Sequence, residues 1–305
     1  MHVRTDGVGV RPAQLLCDGR ARSPFRNAGG AGSEPDVSDA ARLQAIAEEA
    51  VDAGISCLAR AQRGDGTARR FKPSGEEVTA ADIAVERMIS QTLRRQTPDI
   101  PVVGEESAGA GPPPTRCWLL DPIDGTMNFA RGAPFYAVSL AYVEGGQPRL
   151  GVIDAPALGR RWRTGPQNGG RSAARPSVRK VHEAVIGITG TGSAGALRGA
   201  RIGQLQAAAY RVRMQGAMSL DLVGVAEGWL DACVCLHPKP WDVAAGVALV
   251  RERGAAVLGD GGQDFAFGSP LLVAGDAPLA QRVLTVLTAA EQHHSGRPAE
   301  QGDDG

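Results

Sequence analysis

The sequence lacks an excess of charge of either sign. Lys and Arg together number 33 and Asp and Glu number 33, so the formal net charge is zero. The basic side is almost all Arg, a bias that we attribute to a GC-rich bacterial genome. Proteins that bind nucleic-acid backbones carry a basic excess, and polybasic membrane anchors carry clustered Lys and Arg. Neither nucleic acid nor a membrane is therefore expected as a partner.

Cysteine is scarce and is not arranged in a disulfide or metal-binding pattern. The five cysteines are odd in number, and no CxxC pair or neighbouring histidine completes a zinc site. Cys57 and Arg63 match the C-x5-R spacing of cysteine-dependent phosphatases. The residues between them contain no glycine and are predicted to be helical, whereas that chemistry needs a loop of amides around the phosphate. Reduced thiols in a cytoplasmic protein are the expectation.

No long apolar run is present. The N-terminal residues carry charges where a signal peptide needs an apolar stretch, and residues 271–290 are too polar to span a bilayer. Residues 1–37 and 291–305 lack apolar periodicity and are predicted to be a disordered extension and a disordered tail. Residues 38–290 are predicted to form a single domain, with a subdivision near residue 180 left open.

Helical and strand patterns alternate between the two ends. A helix is predicted from residue 38, and Thr79 with Asp82 forms a capping-box pattern that begins a second helix. Strands are predicted at residues 100–103, 117–120, 136–143, 149–153 and 184–189, and helices at 197–209 and 241–253, while 220–225 fit either state. This alternation predicts an α/β (α+β) layered sandwich.

Acidic residues follow two of the predicted strands. Glu105 comes just after the strand at 100–103, and Asp121 and Asp124 follow the next strand, three positions apart. The turn between the two aspartates lets both carboxylates and the Ile123 carbonyl face one cation. Oxygen ligands without His or Cys favour Mg²⁺.

Gly125 and Thr126 come directly after these aspartates. Glycine lets the backbone approach a ligand closely, and amides at the start of a helix suit a phosphate. Carboxylates for a metal beside amides for a phosphate indicate metal-assisted phosphate ester chemistry.

These motifs resemble the inositol monophosphatase family of Mg²⁺-dependent, lithium-sensitive phosphatases. GEES (residues 104–107), WLLDPIDGTMNF (118–129) and WDVAAG (241–246) occur in that family's order and at its separations. The resemblance covers roughly residues 38–290. It implies a five-layered α-β-α-β-α sandwich, a phosphoric monoester hydrolase, a small phosphorylated metabolite as substrate, and a homodimer.

The resemblance also assigns roles residue by residue. The implied metal ligands are Glu105, Asp121, the Ile123 carbonyl, Asp124 and Asp242. The implied catalytic residues are Glu105, Thr126 and Asp82, the last two orienting a metal-activated water. The implied phosphate- and substrate-binding residues are Asp124, Gly125, Thr126, Gly216, Ala217, Met218, Cys235 and Asp242. The roles of Glu106 and Lys72 are left open.

Two of these acids also have structural explanations. Asp82 is the acid of a capping box, a role that is compatible with catalysis. Asp242 fits the N-cap of the helix that follows it.

The substrate is less closely defined than the reaction. Inositol-specific members carry a glutamate seven residues before the aspartate of WD, whereas this chain has Cys235, a poor acceptor. The expected substrate is a small polyol, sugar or related monophosphate, such as inositol 1-phosphate. The alternatives are histidinol phosphate and 3′-phosphoadenosine phosphates. If Cys235 does not select the substrate, it is a small buried thiol beneath the cleft.

A competing motif is formed by Gly190, Gly192 and Gly195, which fit GxGxxG between a predicted strand and a helix. A nicotinamide-dependent oxidoreductase also needs an acid at the end of the next strand. Residues 210–214 instead run into Gln215. The oxidoreductase is therefore a remote alternative.

Overall fold

Residues 37–63, 68–72, 76–109, 111–165, 180–190 and 196–294 are described by the computed structural model. The predicted extension lies outside them except for its last residue. The predicted tail also lies outside them, except that residues 291–294 continue the final helix past the domain end predicted at residue 290. Residues 289–292 read Ala-Ala-Glu-Gln, all good helix formers, which explains the longer helix. The domain limits otherwise stay predictions.

Helices and strands alternate along the described residues. The helices are α1 (Val37–Gln62), α2 (Ala80–Gln96), α3 (Thr126–Phe129), α4 (Ala196–Ala208), α5 (Met218–Ala226), α6 (Pro240–Glu252) and α7 (Ala277–His294). The strands are β1 (Arg69–Phe71), β2 (Glu77–Thr79), β3 (Val102–Gly104), β4 (Cys117–Asp124), β5 (Ala137–Glu144), β6 (Gln147–Ala155), β7 (Arg160–Arg163), β8 (Val185–Gly190), β9 (Arg211–Arg213), β10 (Ala232–Leu236), β11 (Ala256–Leu258) and β12 (Leu271–Gly275).

The first large sheet has the strand order β3-β4-β5-β6-β7. β3 and β4 are parallel, and the other neighbours are antiparallel. Every residue of β4 is buried, because helices cover both faces of the sheet. A strand covered on both faces is a continuous apolar run rather than an alternating one. The acids at the end of β4 are therefore carried into the interior.

The second large sheet has the order β11-β12-β10-β8-β9. β8 is parallel to both β9 and β10, whereas β12 is antiparallel to β10 and β11. The sequence did not predict β10 or β12, since a short apolar run fits a strand and a buried helix equally well. Residues 220–225, which fitted either state, lie in α5.

Helices α5 and α6 lie between the two sheets. Ala244 and Ala245 of α6 pack on the first sheet, while Val243 and Val247 pack on the second. A helix that is apolar on all sides is a buried one. Helices α1 and α2 cover the outer face of the first sheet, and α4 and α7 cover that of the second. The predicted α-β-α-β-α sandwich is confirmed.

A membrane span is not found in this fold. None of the helices in the described ranges combines the length and the apolar character needed to cross a bilayer.

Candidate active site

The parallel pairing of β3 and β4 places Glu105 beside Asp121. Gly104 is opposite Leu120 in the register, and the Glu105 amide donates to the Leu120 carbonyl at 3.0 Å. Glu105 therefore follows the end of β3 at the level where β4 reaches Asp121. Two acids that are 16 positions apart in the sequence become neighbours across one strand pair.

An irregularity in β4 lies between its two aspartates. The pairing of β4 with β5 shifts register between Asp121 and Asp124. The Ile123 amide donates to Asp121 Oδ1 at 3.0 Å, which closes a tight turn around Pro122. A regular strand would place residues three positions apart on opposite faces, and the irregularity interrupts that alternation between the two aspartates.

Asp242 reaches the same place from the middle layer of helices. It is the third residue of α6, and the Lys239 amide donates to Asp242 Oδ2 at 3.0 Å. The N-cap is Lys239, so the alternative that Asp242 is the N-cap is wrong; it is instead the acid of the capping box. The partial positive charge of a helix N-terminus favours a carboxylate here.

The three acids converge on one point. Carboxylate oxygens of Glu105, Asp121 and Asp242 all lie within 4.8 Å of one another. Asp121 and Asp242 are buried, and Glu105 is half-buried. Burial, followed by repulsion from Glu105 and Asp124, raises the pKa of Asp121 well above its usual value. Burial and repulsion from Glu105 do the same to the pKa of Asp242.

This donor set fits a hard divalent cation. It offers carboxylate oxygens without nitrogen or sulfur, which is the preference of Mg²⁺. Buried like charges are costly unless an opposite charge is added. A cation bound between the three carboxylates would supply that charge.

One positive charge already lies at the edge of the cluster. Lys72 Nζ is 2.7 Å from Glu105 Oε1 and 2.7 Å from Glu106 Oε1. Burial lowers the pKa of Lys72, but attraction to Glu105 and the two hydrogen bonds raise it further, so that the net shift is upward. Burial raises the pKa of Glu106 to about 7 despite the hydrogen bond from Lys72.

Asp82 and Thr126 are in contact, as a shared catalytic role requires. Thr126 Oγ1 lies 3.1 Å from Asp82 Oδ1 and 2.9 Å from the Ile123 carbonyl, so its one proton is shared between two acceptors. The predicted capping box is present too: the Thr79 amide and hydroxyl donate to Asp82 Oδ2 at 2.8 and 2.5 Å. Burial raises the pKa of Asp82 to about 6, against these hydrogen bonds.

Asp124 is bound by the start of α5. Its Oδ1 accepts from the Met218 amide at 3.1 Å, and its Oδ2 accepts from the Ser219 amide at 2.7 Å and from the Ser219 hydroxyl. Burial raises the pKa of Asp124 to about 7, although the Ser219 bonds oppose the shift. Asp124 therefore links β4 to the start of α5, and its predicted role as a metal ligand stays a prediction.

Gly125 needs the conformational freedom of glycine. Its φ is +85°, and an added Cβ would lie 2.8 Å from the Phe135 carbonyl. Gly125 is the N-cap of α3, so the amides of Gly125 and Thr126 belong to the first turn, where helices leave amides without intrahelical partners. The segment offers donors where a phosphate is expected.

The remaining predicted substrate residues differ in exposure. Gly216 is half-buried with a φ of +79°, while Ala217 and Met218 are buried. Cys235 is completely buried in β10, within an apolar cluster that also holds Cys233. A hydrogen bond with Cys233 and burial raise the pKa of Cys235 well above the usual thiol value. A role in substrate binding stays a prediction for all of them.

Two polar residues of the site were missed by the sequence analysis. Glu86 is buried in α2, and its Oε2 accepts from the Glu106 amide at 2.8 Å, which fixes the turn that carries Glu105. Its spacing of four from Asp82 places both acids on one face of α2 and could have revealed it. Ser219 supplies a hydroxyl one position after the apolar residues at 217 and 218. No local signal indicates that it faces Asp124.

The rival motifs find no support in the described residues. Cys57 lies within α1, so no amide loop surrounds it. Of the glycine-rich motif, Gly190 ends β8 and residues 191–195 lie outside the described residues. β9 ends at Arg213, without an acid at its end.

Comparisons with known proteins agree with this geometry. A family model described as the inositol monophosphatase family matches residues 36–297. A histidinol-phosphatase of Mycobacterium tuberculosis is 39% identical over 230 residues, covering 72% of this chain and 87% of that protein. An inositol-1-monophosphatase of Mycolicibacterium smegmatis is 31% identical over 264 residues, covering 83% and 95%. The solved structure of a Thermotoga maritima IMPase superimposes with a TM-score of 0.70 at 28% identity, covering 84% of this chain and 99% of that one.

Proposed function

The chain belongs to the inositol monophosphatase family of phosphate monoester hydrolases, and from this premise we propose a Mg²⁺-dependent enzyme that hydrolyses a small polyol, sugar or related monophosphate, such as inositol 1-phosphate. The observation that supports the metal is the convergence of Glu105, Asp121 and Asp242, with oxygens within 4.8 Å of one another.

These three carboxylates would hold the cation, with the Ile123 carbonyl and Asp124 as further ligands from the same strand. When bound, the cation supplies a Lewis acid that lowers the pKa of water and stabilises charge on phosphate oxygens. Asp124 keeps acceptor capacity for this, because a carboxylate has about four lone-pair sites and three donors reach it here.

Thr126 and Asp82 would orient the attacking water. With Asp82 ionised, the Thr126 hydroxyl donates to it and offers a lone pair to a proton of the water. The water would attack the phosphorus in line with the leaving oxygen, so that the ester P–O bond breaks as the new P–O bond forms. The proton of the attacking water would pass through Thr126 to Asp82, the leaving oxygen would take a proton from a second water, and no covalent enzyme intermediate is needed. Amides at Gly125 and Thr126, at the start of α3, would bind the phosphate oxygens.

Histidinol phosphate is the second candidate substrate. A relative with 39% identity bears the name histidinol-phosphatase. In addition, Cys235 stands where inositol-specific members carry a glutamate that accepts from ring hydroxyls. A buried thiol is a poor substitute for that acceptor.

A phosphate-release screen tests the proposal. Metal-stripped enzyme would be offered myo-inositol 1-phosphate, histidinol phosphate, fructose 1,6-bisphosphate and 3′-phosphoadenosine 5′-phosphate, with and without Mg²⁺. We expect turnover of at least one compound that needs Mg²⁺ and falls with added Li⁺. The Asp121→Asn variant, purified identically, controls for contaminating phosphatases. Full turnover after verified metal removal would contradict the metal-dependent reaction, and no release from any compound would contradict the substrate class.

We also propose a homodimer, on the family resemblance, and a cytoplasmic location, because the cysteines of the described residues are free thiols. Sedimentation velocity at micromolar concentration measures the assembly state, and a monomer would contradict the dimer. Fractionation of the producing cells measures the location.

A further inference from the structure

A polar network with a buried carboxylate lies beside the site and is not used by the proposed reaction. At its centre is Asp221 in the first turn of α5, a carboxylate with no exposed surface. The Thr189 hydroxyl donates to Asp221 Oδ2 at 2.6 Å, and Gln215 Nε2 donates to Asp221 Oδ1 at 2.9 Å. No ion pair of the described part of the chain involves Asp221.

This arrangement is costly to maintain without a purpose. Burying a carboxylate without a cation is unfavourable even when neutral donors satisfy its oxygens. The backbone is also built around it, because a Cβ on Gly187 would lie 3.0 Å from Asp221 Oδ1. An apolar side chain at 221 would avoid that cost but would leave the Thr189 hydroxyl and the Gln215 amide without this acceptor, so the acid is explained by the groups it binds.

The network ends at the backbone that binds Asp124. Gln215 begins residues 215–219, which we call the Asp124-binding turn because the amides of Met218 and Ser219 donate to Asp124. The Gln215 carbonyl accepts from Asn128 Nδ2 at 2.8 Å, and Asn128 belongs to α3. The side chain of Gln215 is therefore bound by Asp221 and its backbone by α3.

We propose that Asp221 is a positioning residue of the phosphatase site, which acts by holding Gln215 so that the Asp124-binding turn stays against α3. The turn lacks regular structure between Met214 and Ala217, so its own backbone does not define its position. Thr189 anchors the carboxylate to the end of β8, and through it the turn is tied to the second sheet. The inference rests on the proposed function, because its consequence is a correctly placed Asp124.

The test uses four single variants and one double variant of the full chain. Asp221→Leu leaves Gln215 without its partner, and Gln215→Leu removes the same contact from the other side. Each should lower kcat/KM by about tenfold or more, since small displacements in an active site are enough for such losses. If both act through one contact, the double variant should be no worse than the poorer single variant. Asp221→Asn keeps the size and an acceptor oxygen, and should stay within about threefold of wild type.

Asp231→Leu is the matched control. Asp231 accepts from the Val185 amide at 2.7 Å, at the opposite end of β8 from Thr189. Its loss should lower the melting temperature without changing kcat/KM measured well below that temperature.

Hydrogen exchange of the peptide that covers residues 215–221 gives a readout independent of turnover. It should become faster in Asp221→Leu and in Gln215→Leu, and stay unchanged in Asp231→Leu. The positioning role would be overturned if hydrogen exchange were as slow in Asp221→Leu and Gln215→Leu as in the wild type. Losses of kcat/KM that add up in the double variant would overturn it as well. If Asp221→Leu does not fold, Gln215→Leu decides alone. A wild-type enzyme without phosphatase activity would refute the proposed function, while the exchange result would still decide the contact.

Discussion

At the scale of single residues, Asp121 shows how the site balances stability against binding. Its carboxylate is buried and faces Glu105, Asp124 and Asp242, all of which raise its pKa. Without a cation these charges repel one another in a medium that screens them poorly. The same charges are what a divalent cation would bind.

Asp121→Asn should therefore separate stability from turnover. We expect kcat to fall below about a tenth of wild type, because a ligand charge is lost, while the metal-free melting temperature rises as repulsion is relieved. Kinetics with Mg²⁺ and a thermal melt in chelator measure the two effects. Asp99→Asn is the control, since Asp99 is exposed and pairs with Arg116 at 3.1 Å. A variant with more than a tenth of the wild-type rate would show that Asp121 is not a ligand.

Substitutions of Cys235 are expected to change stability and activity through the packing of the core. Its side chain is completely buried in an apolar cluster, so Cys235→Glu would bury a carboxylate that has no identified partner. We expect a lower melting temperature and a parallel loss of activity on all substrates. Cys235→Ala, which adds no charge, should keep the substrate ratio. A normal melt with a raised preference for inositol 1-phosphate in Cys235→Glu would instead support the selector role.

At the scale of elements, the turn after β3 depends on a close fit with α2. Gly104 ends β3, and an added Cβ would lie 2.3 Å from Glu86 Oε2. Glu86 cannot move away freely, because its carboxylate accepts from the Glu106 amide at 2.8 Å. The glycine and the buried glutamate together determine where Glu105 lies.

Gly104→Ala should destabilise the protein and also reduce its activity. Overpacking of this kind costs about 1–3 kcal/mol of unfolding free energy, and the Glu105 turn would be displaced. Chemical denaturation and kcat/KM measure the effects. Gly109→Ala is the control, since an added Cβ there meets nothing within 4 Å. Glu86→Ala should recover part of the packing loss in the Gly104→Ala background. A Gly104→Ala variant as stable as the wild type would show that the Glu86 side chain of α2 moves aside at little cost.

At the scale of the whole molecule, acids from separate layers meet in one interior region. Asp82 comes from the outer helix α2, Asp124 from the first sheet, and Asp242 from the helix layer between the sheets. Burial raises the pKa of Asp82 to about 6 and that of Asp124 to about 7. The folded state without metal therefore binds protons more tightly than the unfolded chain does.

Because the pKa values of these acids are raised in the folded state, the metal-free protein becomes less stable as the pH rises. The contribution of these acids to the free energy of unfolding is complete below their unfolded-state pKa of about 4. It is lost as the pH rises through their folded-state pKa values of about 6 and about 7. We expect a higher melting temperature at about pH 5 than at about pH 7.5 in chelator, and a Mg²⁺ stabilisation that grows with pH. Thermal melts at constant ionic strength measure both. A metal-free melting temperature that increases with pH over this window would contradict the raised pKa values.

Local patterns in the sequence were enough for much of the fold and for the chemistry of the site. The capping box at Thr79 and Asp82, the strand predicted just before Asp121, and the start of α6 before Asp242 all depend on neighbours within a few positions. Such neighbours form hydrogen bonds and buried faces that hardly depend on the rest of the chain. The prediction that oxygen atoms alone would hold a cation follows from residue types.

Only the tertiary structure decided which partners these residues meet. Asp124 is bound by Met218 and Ser219, 94 and 95 positions away, and Cys235 lies in the core. A register shift lies between Asp121 and Asp124 of β4, and no periodicity in the sequence reports such a shift. Contacts between distant segments depend on how whole layers pack, because each layer positions side chains that are far apart along the chain. Residue types determined what this site can bind, and the packing of the layers determined which residues are available to bind it.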